Sequence, residues 1–271
     1  MLENKALLIN LRISMWFGRK YDKKVSLEIE KTHNASNSGR YNKMLIDSKE
    51  LSRLVSIVNK IKKNHYENTL PWGDEGERLL PIENYISYMD VYTNLEAQFS
   101  EKVENFLMDY ENIKERSKKS LGDMFNLKYY PLREELRNKF NTSLLAFPIP
   151  NDDFRVAVDD VEALKEKARK EIGKRLSESN LFLWEKIKKT LEHISSKLLD
   201  KEAIFKNSMM SNLEELLVSI PKLNITEDKE LDLVVKKMKY LVQDSDVLRE
   251  NPLLRKDTGT FALSLLSEIK K

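Results

Sequence analysis

The segment His65-Tyr-Glu-Asn-Thr-Leu-Pro-Trp-Gly-Asp-Glu-Gly-Glu-Arg-Leu-Leu-Pro81 sets an imidazole near the carboxylates of Asp74, Glu75 and Glu77, with Trp72 held between Pro71 and Gly73. Carboxylate oxygens folded back toward His65 would suit a hard cation such as magnesium or manganese. The competing reading is an acidic, solvated turn that caps the next helix, with Arg78 paired locally and Trp72 packed beneath. The other two histidines are far away in sequence, and no HExxH or HxH spacing occurs. His33 has no recognisable nucleophile or orienting carboxylate beside it, and His193 falls in a helical pattern as a partly exposed residue. A phosphate-binding glycine loop and a GxSxG nucleophile elbow are both missing. With no cysteine in the chain, thiolate chemistry and disulfides are excluded and a reducing compartment is the expected home. The expectation is a non-enzymatic protein with no catalytic, cofactor-binding or metal residue and no bound cofactor.

A second set of residues has a chemistry of its own. Trp16, Arg19, Lys20, Tyr21, Lys23 and Lys24 interleave rings with cations, as do Arg40, Tyr41 and Lys43, and Lys60, Lys62 and Lys63 follow before Tyr66. Rings that stack on bases, alternating with cations that neutralise phosphates, are the ingredients of a single-stranded nucleic-acid site. Together with Trp72 and Arg78 they form the candidate binding surface. The near-neutral net charge of +3 conceals a polarity, because residues 1–66 hold 14 Lys/Arg against 6 Asp/Glu and residues 67–116 hold 4 against 12. The basic stretch therefore has two possible destinations. It either faces solvent or a polyanion, or lies against acidic residues of the same chain or of a partner protein.

These residues must be positioned by a largely helical scaffold. Seven Gly and seven Pro in 271 residues, with 34% charged residues, favour long helices with ion-paired exposed faces. The expected class is mainly α with a small β component. Leu7, Ile9, Leu11, Ile13, Met15 and Phe17 alternate with polar residues, a period-2 pattern that predicts a strand ended by Gly18. Val25, Leu27 and Ile29 fit either strand or helix, and Asn34 to Tyr41 reads as a loop. Ser48 is placed as the N-cap of a helix to about Tyr66. Tyr85, Met89, Tyr92, Phe99, Val103, Phe106, Tyr110 and Ile113 recur at spacings of three and four, the seam of a helical hairpin or coiled coil. Pro131 is placed at the first position of a short helix. Extended segments are expected at Ser143–Ile149 and Phe154–Val158. Beyond Asp160 the spacing of Trp184, Ile187, Leu191, Ile194 and Leu198 predicts another packed helix, followed by helices to Pro221, over Asp228–Val242 and over Gly259–Ile269. The organisation reads as an α+β part over 1–150 and a helical part over 151–271, or as one continuous domain if the segments around 150 pair with the first strand. No apolar run approaches membrane-spanning length, and the first apolar stretch, broken by Asn10 and Arg12, lacks a leader cleavage pattern. A cytoplasmic protein is expected, in the host cytoplasm if the gene is a phage's.

At Gly18-Arg19-Lys20, His33-Asn34-Ala35, Gly39-Arg40-Tyr41-Asn42-Lys43 and the His65–Pro81 loop, the chain resembles a family of uncharacterised proteins from phages, mobile elements and bacteria. That resemblance implies an association with MoxR-like AAA+ ATPases and von Willebrand A-domain proteins, and it carries over no catalytic residues. The chain itself has neither a Walker lysine motif nor the DxSxS pattern of the A-domain. The functional expectation is a helical adaptor that bridges or regulates such an ATPase and A-domain protein. The alternative is a nucleic-acid-binding accessory protein of phage or mobile-element recombination.

Overall fold

A computed structural model describes residues 5–73, 76–149 and 161–269. The fold is mainly α with a small antiparallel β part, as its composition and periodicity predict. Strands β1 (Ala6–Ser14), β4 (Leu70–Pro71), β5 (Glu77–Pro81) and β6 (Asn141–Phe147) form one sheet in the order β4-β5-β1-β6. No helix of the described residues is long and apolar enough to cross a membrane.

The chain divides into two compact units, neither of them a single stretch of sequence: the first comprises residues 1–10, 66–88 and 145–271, the second residues 11–65 and 89–144. Residues 1–150 thus contribute to both. Of the two extended segments expected around residue 150, the first is β6, and Phe154–Val158 lies outside the described residues.

In the first unit, β1 pairs antiparallel with β5 so that Leu8 faces Leu79 in register and Ile9 faces Arg78, while Pro71 of β4 flanks Arg78 on the other side. Helix α6 (Val161–Leu199) carries the expected seam. Trp184, Ile187, Leu191, Ile194 and Leu198 are buried, and they pack with α7 (Ser208–Leu223), α8 (Lys229–Met238), α9 (Ser245–Glu250) and α10 (Pro252–Glu268) in one core. The early turns of α6 are instead held on their solvent side by i, i+4 pairs such as Glu171 with Arg175. Gly259 lets α10 approach α6 closely, because a Cβ there would lie 3.0 Å from Leu198 Cβ. Asp228 ties the layers together. Its carboxylate accepts from the backbone N–H of Glu230 and Leu231, as an N-cap does, and also from Asn180 Nδ2 and Trp184 Nε1, each at 3.0 Å, on α6. Burial raises the Asp228 pKa, but these four donors outweigh it and hold the carboxyl below its ordinary range. Pro221 does not stop α7, which runs on to Leu223, because one lost N–H is affordable in the last turn of a helix packed on a core. Helix α9 has no counterpart among the expected elements. Six residues are too few for a legible period.

In the second unit, the Val25–Ile29 segment resolves as helix α1 (Lys23–Thr32), capped by Asp22, which accepts from the Val25 N–H. It connects two three-residue strands, β2 (Arg19–Tyr21) and β3 (Asn42–Met44), which pair antiparallel. Asp47, not Ser48, caps the following 3-10 turn, which leads into α2 (Ser52–Glu67). The expected aromatic seam is present but broken by Asp109, so that α3 (Ile82–Met108) and α4 (Tyr110–Leu121) are separate helices. The seam's members from Tyr92 to Ile113 bury with Leu54, Ile57, Val58 and Ile61 of α2. Pro131 precedes the cap position of α5 (Arg133–Arg137) instead of occupying its first turn.

Candidate functional site

The most exposed collection of predicted binding residues sits on the β2–α1–β3 segment of the second unit. Arg19, Lys20, Tyr21, Lys23, Lys24, Arg40 and Tyr41 are all exposed. Antiparallel pairing places Arg19 opposite Met44 and Tyr21 opposite Asn42, and it places Lys20 opposite Lys43. Alternation along a strand then separates Arg19 and Tyr21 from Lys20. Arg40 brings its guanidinium 5.9 Å from the centre of the Tyr21 ring, while Lys20 lies 5.6 Å from that of Tyr129. The loop is held by backbone contacts. Asp22 N–H donates to the Tyr41 carbonyl, and the buried Ser26 hydroxyl accepts from Tyr41 N–H at 3.0 Å.

The helix that carries Lys23 and Lys24 has no acidic residue in its first turn. Cations there stand at the positive end of the helix dipole, where the Asp22 carboxylate at the N-cap offsets part of the cost. Lys60, Lys62 and Lys63 are exposed on α2 of the same unit.

Four predicted surface residues have other placements. Lys43 is buried, with its ammonium 2.8 Å from Asp22 Oδ2, 3.0 Å from the Met124 carbonyl and 5.4 Å from the Tyr129 ring centre. It is a structural cation that pins β3 to the cap of α1. Trp16 is half-buried against Phe106 and Tyr110, edge-on to the latter at 6.1 Å between ring centres, so its stacking partners are supplied from within. Trp72 is buried at 4% exposure. It packs into the core of the first unit, with Arg175 of α6 6.0 Å from its ring centre. Ser179 of α6 secures that arrangement by donating to the Pro71 carbonyl at 2.6 Å. Arg78 is half-buried in the same unit and spends its Nε and Nη2 donors on Thr69. Sequence spacing cannot distinguish a lysine that solvates from one that a distant carbonyl and ring enclose. Tyr129, which serves both Lys20 and Lys43, was missed because it lies about a hundred residues further along in an irregular stretch.

The carboxylates Asp74 and Glu75 lie outside the described residues, and His65 is buried in the last turn of α2. Among the described residues no three His, Asp or Glu side chains gather as a metal site would need. His33 forms the C-cap of α1, where its backbone N–H donates to the carbonyl of Ile29. Comparison with protein-family models, with curated proteins and with solved structures gives no match.

Proposed function

We propose that the protein works by binding, and that the β2–α1–β3 surface of the second unit is its contact for single-stranded nucleic acid. The observation that carries this reading is the joint exposure of Arg19, Lys20, Tyr21, Lys23, Lys24, Arg40 and Tyr41 on one short segment. The two lysines at the start of α1 add to it. Both are exposed and follow directly on the Asp22 cap, so they add two charges that a polyanion can neutralise. Exposed rings at Tyr21 and Tyr41 supply faces on which bases of any sequence stack. Recognition of this kind is sequence-tolerant and strongly salt-dependent.

Fluorescence anisotropy with a labelled oligothymidylate tests the proposal. Binding is expected in ~50 mM salt, with log affinity falling by about 0.7 per phosphate contact for each decade of salt. Charge reversal at two exposed positions, Arg19→Glu with Arg40→Glu, should abolish it while leaving the circular dichroism spectrum unchanged. Absence of wild-type binding at that salt, or indifference to the double reversal, would overturn the reading.

A second reading is the adaptor that bridges an AAA+ ATPase and an A-domain protein. What favours a protein partner is that Phe17, Leu27, Ile29 and Met44 are also exposed around the same segment. Under that reading the double reversal spares oligonucleotide behaviour, and Leu27→Asp with Ile29→Asp eliminates co-purification of the two partners.

A further inference from the structure

The first unit holds two cations against one aromatic ring. The Arg78 guanidinium lies 6.0 Å from the centre of Phe182 and the Lys186 ammonium 5.0 Å from it. Arg78 is fixed by two hydrogen bonds to Thr69, from Nε to Oγ1 at 2.6 Å and from Nη2 to the carbonyl oxygen at 2.8 Å. The ring of Tyr66, itself 53% exposed, covers the guanidinium at 4.8 Å. This arrangement orients the fork and leaves its Nη1 donors unspent. Among the described residues neither Arg78 nor Lys186 forms an ion pair, and Lys186 has no hydrogen-bond acceptor.

Both groups are half-buried, so each has lost part of its hydration. Burial lowers the pKa of Lys186, with the neighbouring Arg78 charge adding to that effect and Glu67 opposing it; burial likewise lowers that of Arg78. Two like charges that are partly desolvated and held near each other are unfavourable for the fold alone. An anion brought between them offsets both costs. An oriented guanidinium beside an ammonium is the donor set suited to a phosphate, the guanidinium making directed bonds and the ammonium adding a point charge.

We propose that Arg78 and Lys186 form a binding site for a phosphate group, with Phe182 and Tyr66 as its apolar walls. Every residue in it belongs to the first unit, whereas β2–α1–β3 belongs to the second.

Two probes distinguish the sources of that phosphate. Inorganic phosphate, compared with chloride at equal ionic strength, should raise the melting temperature of the wild-type protein and bind in equilibrium dialysis. Lys186→Gln should weaken phosphate binding by about tenfold or more, the loss of one charge-assisted contact, while melting no lower than wild type in phosphate-free buffer. Lys186→Arg, which keeps the charge, should retain binding. If inorganic phosphate displaces oligothymidylate and Lys186→Gln weakens the oligonucleotide too, the group bound is a nucleic-acid phosphodiester. If the oligonucleotide is indifferent to both, the site takes free phosphate. No phosphate-specific stabilisation of the wild type, or equal binding by Lys186→Gln, would overturn the proposal.

Discussion

At the scale of single residues, the side chains that look most reactive in the sequence are often the ones most deeply committed to packing. Trp72 is the clearest case, since its ring is enclosed by the first unit's core and faced by Arg175. Trp72→Ala should cost ~3–5 kcal/mol through the cavity it leaves, read as a lower denaturant midpoint. An unchanged midpoint would mean that the ring contributes no packing. Gly18 is irreplaceable for a different reason. Its φ of +59° lies in the left-handed region, and a Cβ would come within 2.6 Å of Ile46 Cγ1. Gly18→Ala should therefore destabilise by roughly 1–3 kcal/mol, measurable by urea unfolding. Asp22 and Lys43 give a pH dependence. The Lys43 ammonium holds the Asp22 carboxyl below its ordinary range, with the Val25 N–H adding to the effect. A depressed carboxyl stabilises the fold above its unfolded pKa of about 3.9 and loses that contribution as pH falls through the lower folded value. Melting temperatures of wild type and Asp22→Asn should differ most above about pH 4 and converge below it. A gap that widens toward acid would contradict this account.

At the scale of elements, what the sequence discloses is the type of a segment, not what buries it. The alternation from Leu7 and the three-four spacing from Trp184 both predict elements that exist, but β1 also buries Ala6, Leu8 and Asn10 on the face opposite Leu7 and Ile9, so its first half is covered on both sides. Val25, Leu27 and Ile29 fit either period, and the Asp22 cap decides for helix. Strands of three residues such as β2 and β3 have no period to read, and they exist because the ladder and the Lys43–Asp22 pair hold them. Of the candidate surface, the exposed cations at Arg19, Lys20 and Arg40 follow from the simple rule that charge seeks water. Lys43 and Trp72 depart from expectation because their partners, Tyr129 and Arg175, lie about a hundred residues away. The Asp228 cap is likewise invisible locally as a junction. Its helix-capping half is readable, whereas its bonds to Asn180 and Trp184 are not. Asp228→Ala should consequently cost more than the ~1 kcal/mol of an ordinary N-cap, since the Trp184 indole N–H also loses its acceptor. A thermal shift no larger than that of Asp244→Ala, a cap that bonds only its own helix, would show the α6 contacts to be idle.

At the scale of the whole molecule, the boundaries between the two units fall at residues 10/11, 65/66, 88/89 and 144/145, inside β1, α2, α3 and β6 respectively. The helical stretch 161–271 is therefore not a self-sufficient domain, since its core also takes Ala6, Leu8, Leu70, Trp72 and Leu79 from far upstream. Expressed by itself, that stretch should lack a cooperative melt and bind hydrophobic dyes; a sharp, reversible transition would refute the shared core. The same discontinuity has a consequence during synthesis. The second unit is complete once residue 144 has been made, whereas Ala6 and Leu8 of the first must wait for Ala262 and Leu265. At ~5–20 residues per second, that wait lasts on the order of ten to fifty seconds. Over that interval half of a strand is ready and part of its apolar cover has not yet left the ribosome, so Ala6 and Leu8 stay open to wrong apolar partners until the last helix is made.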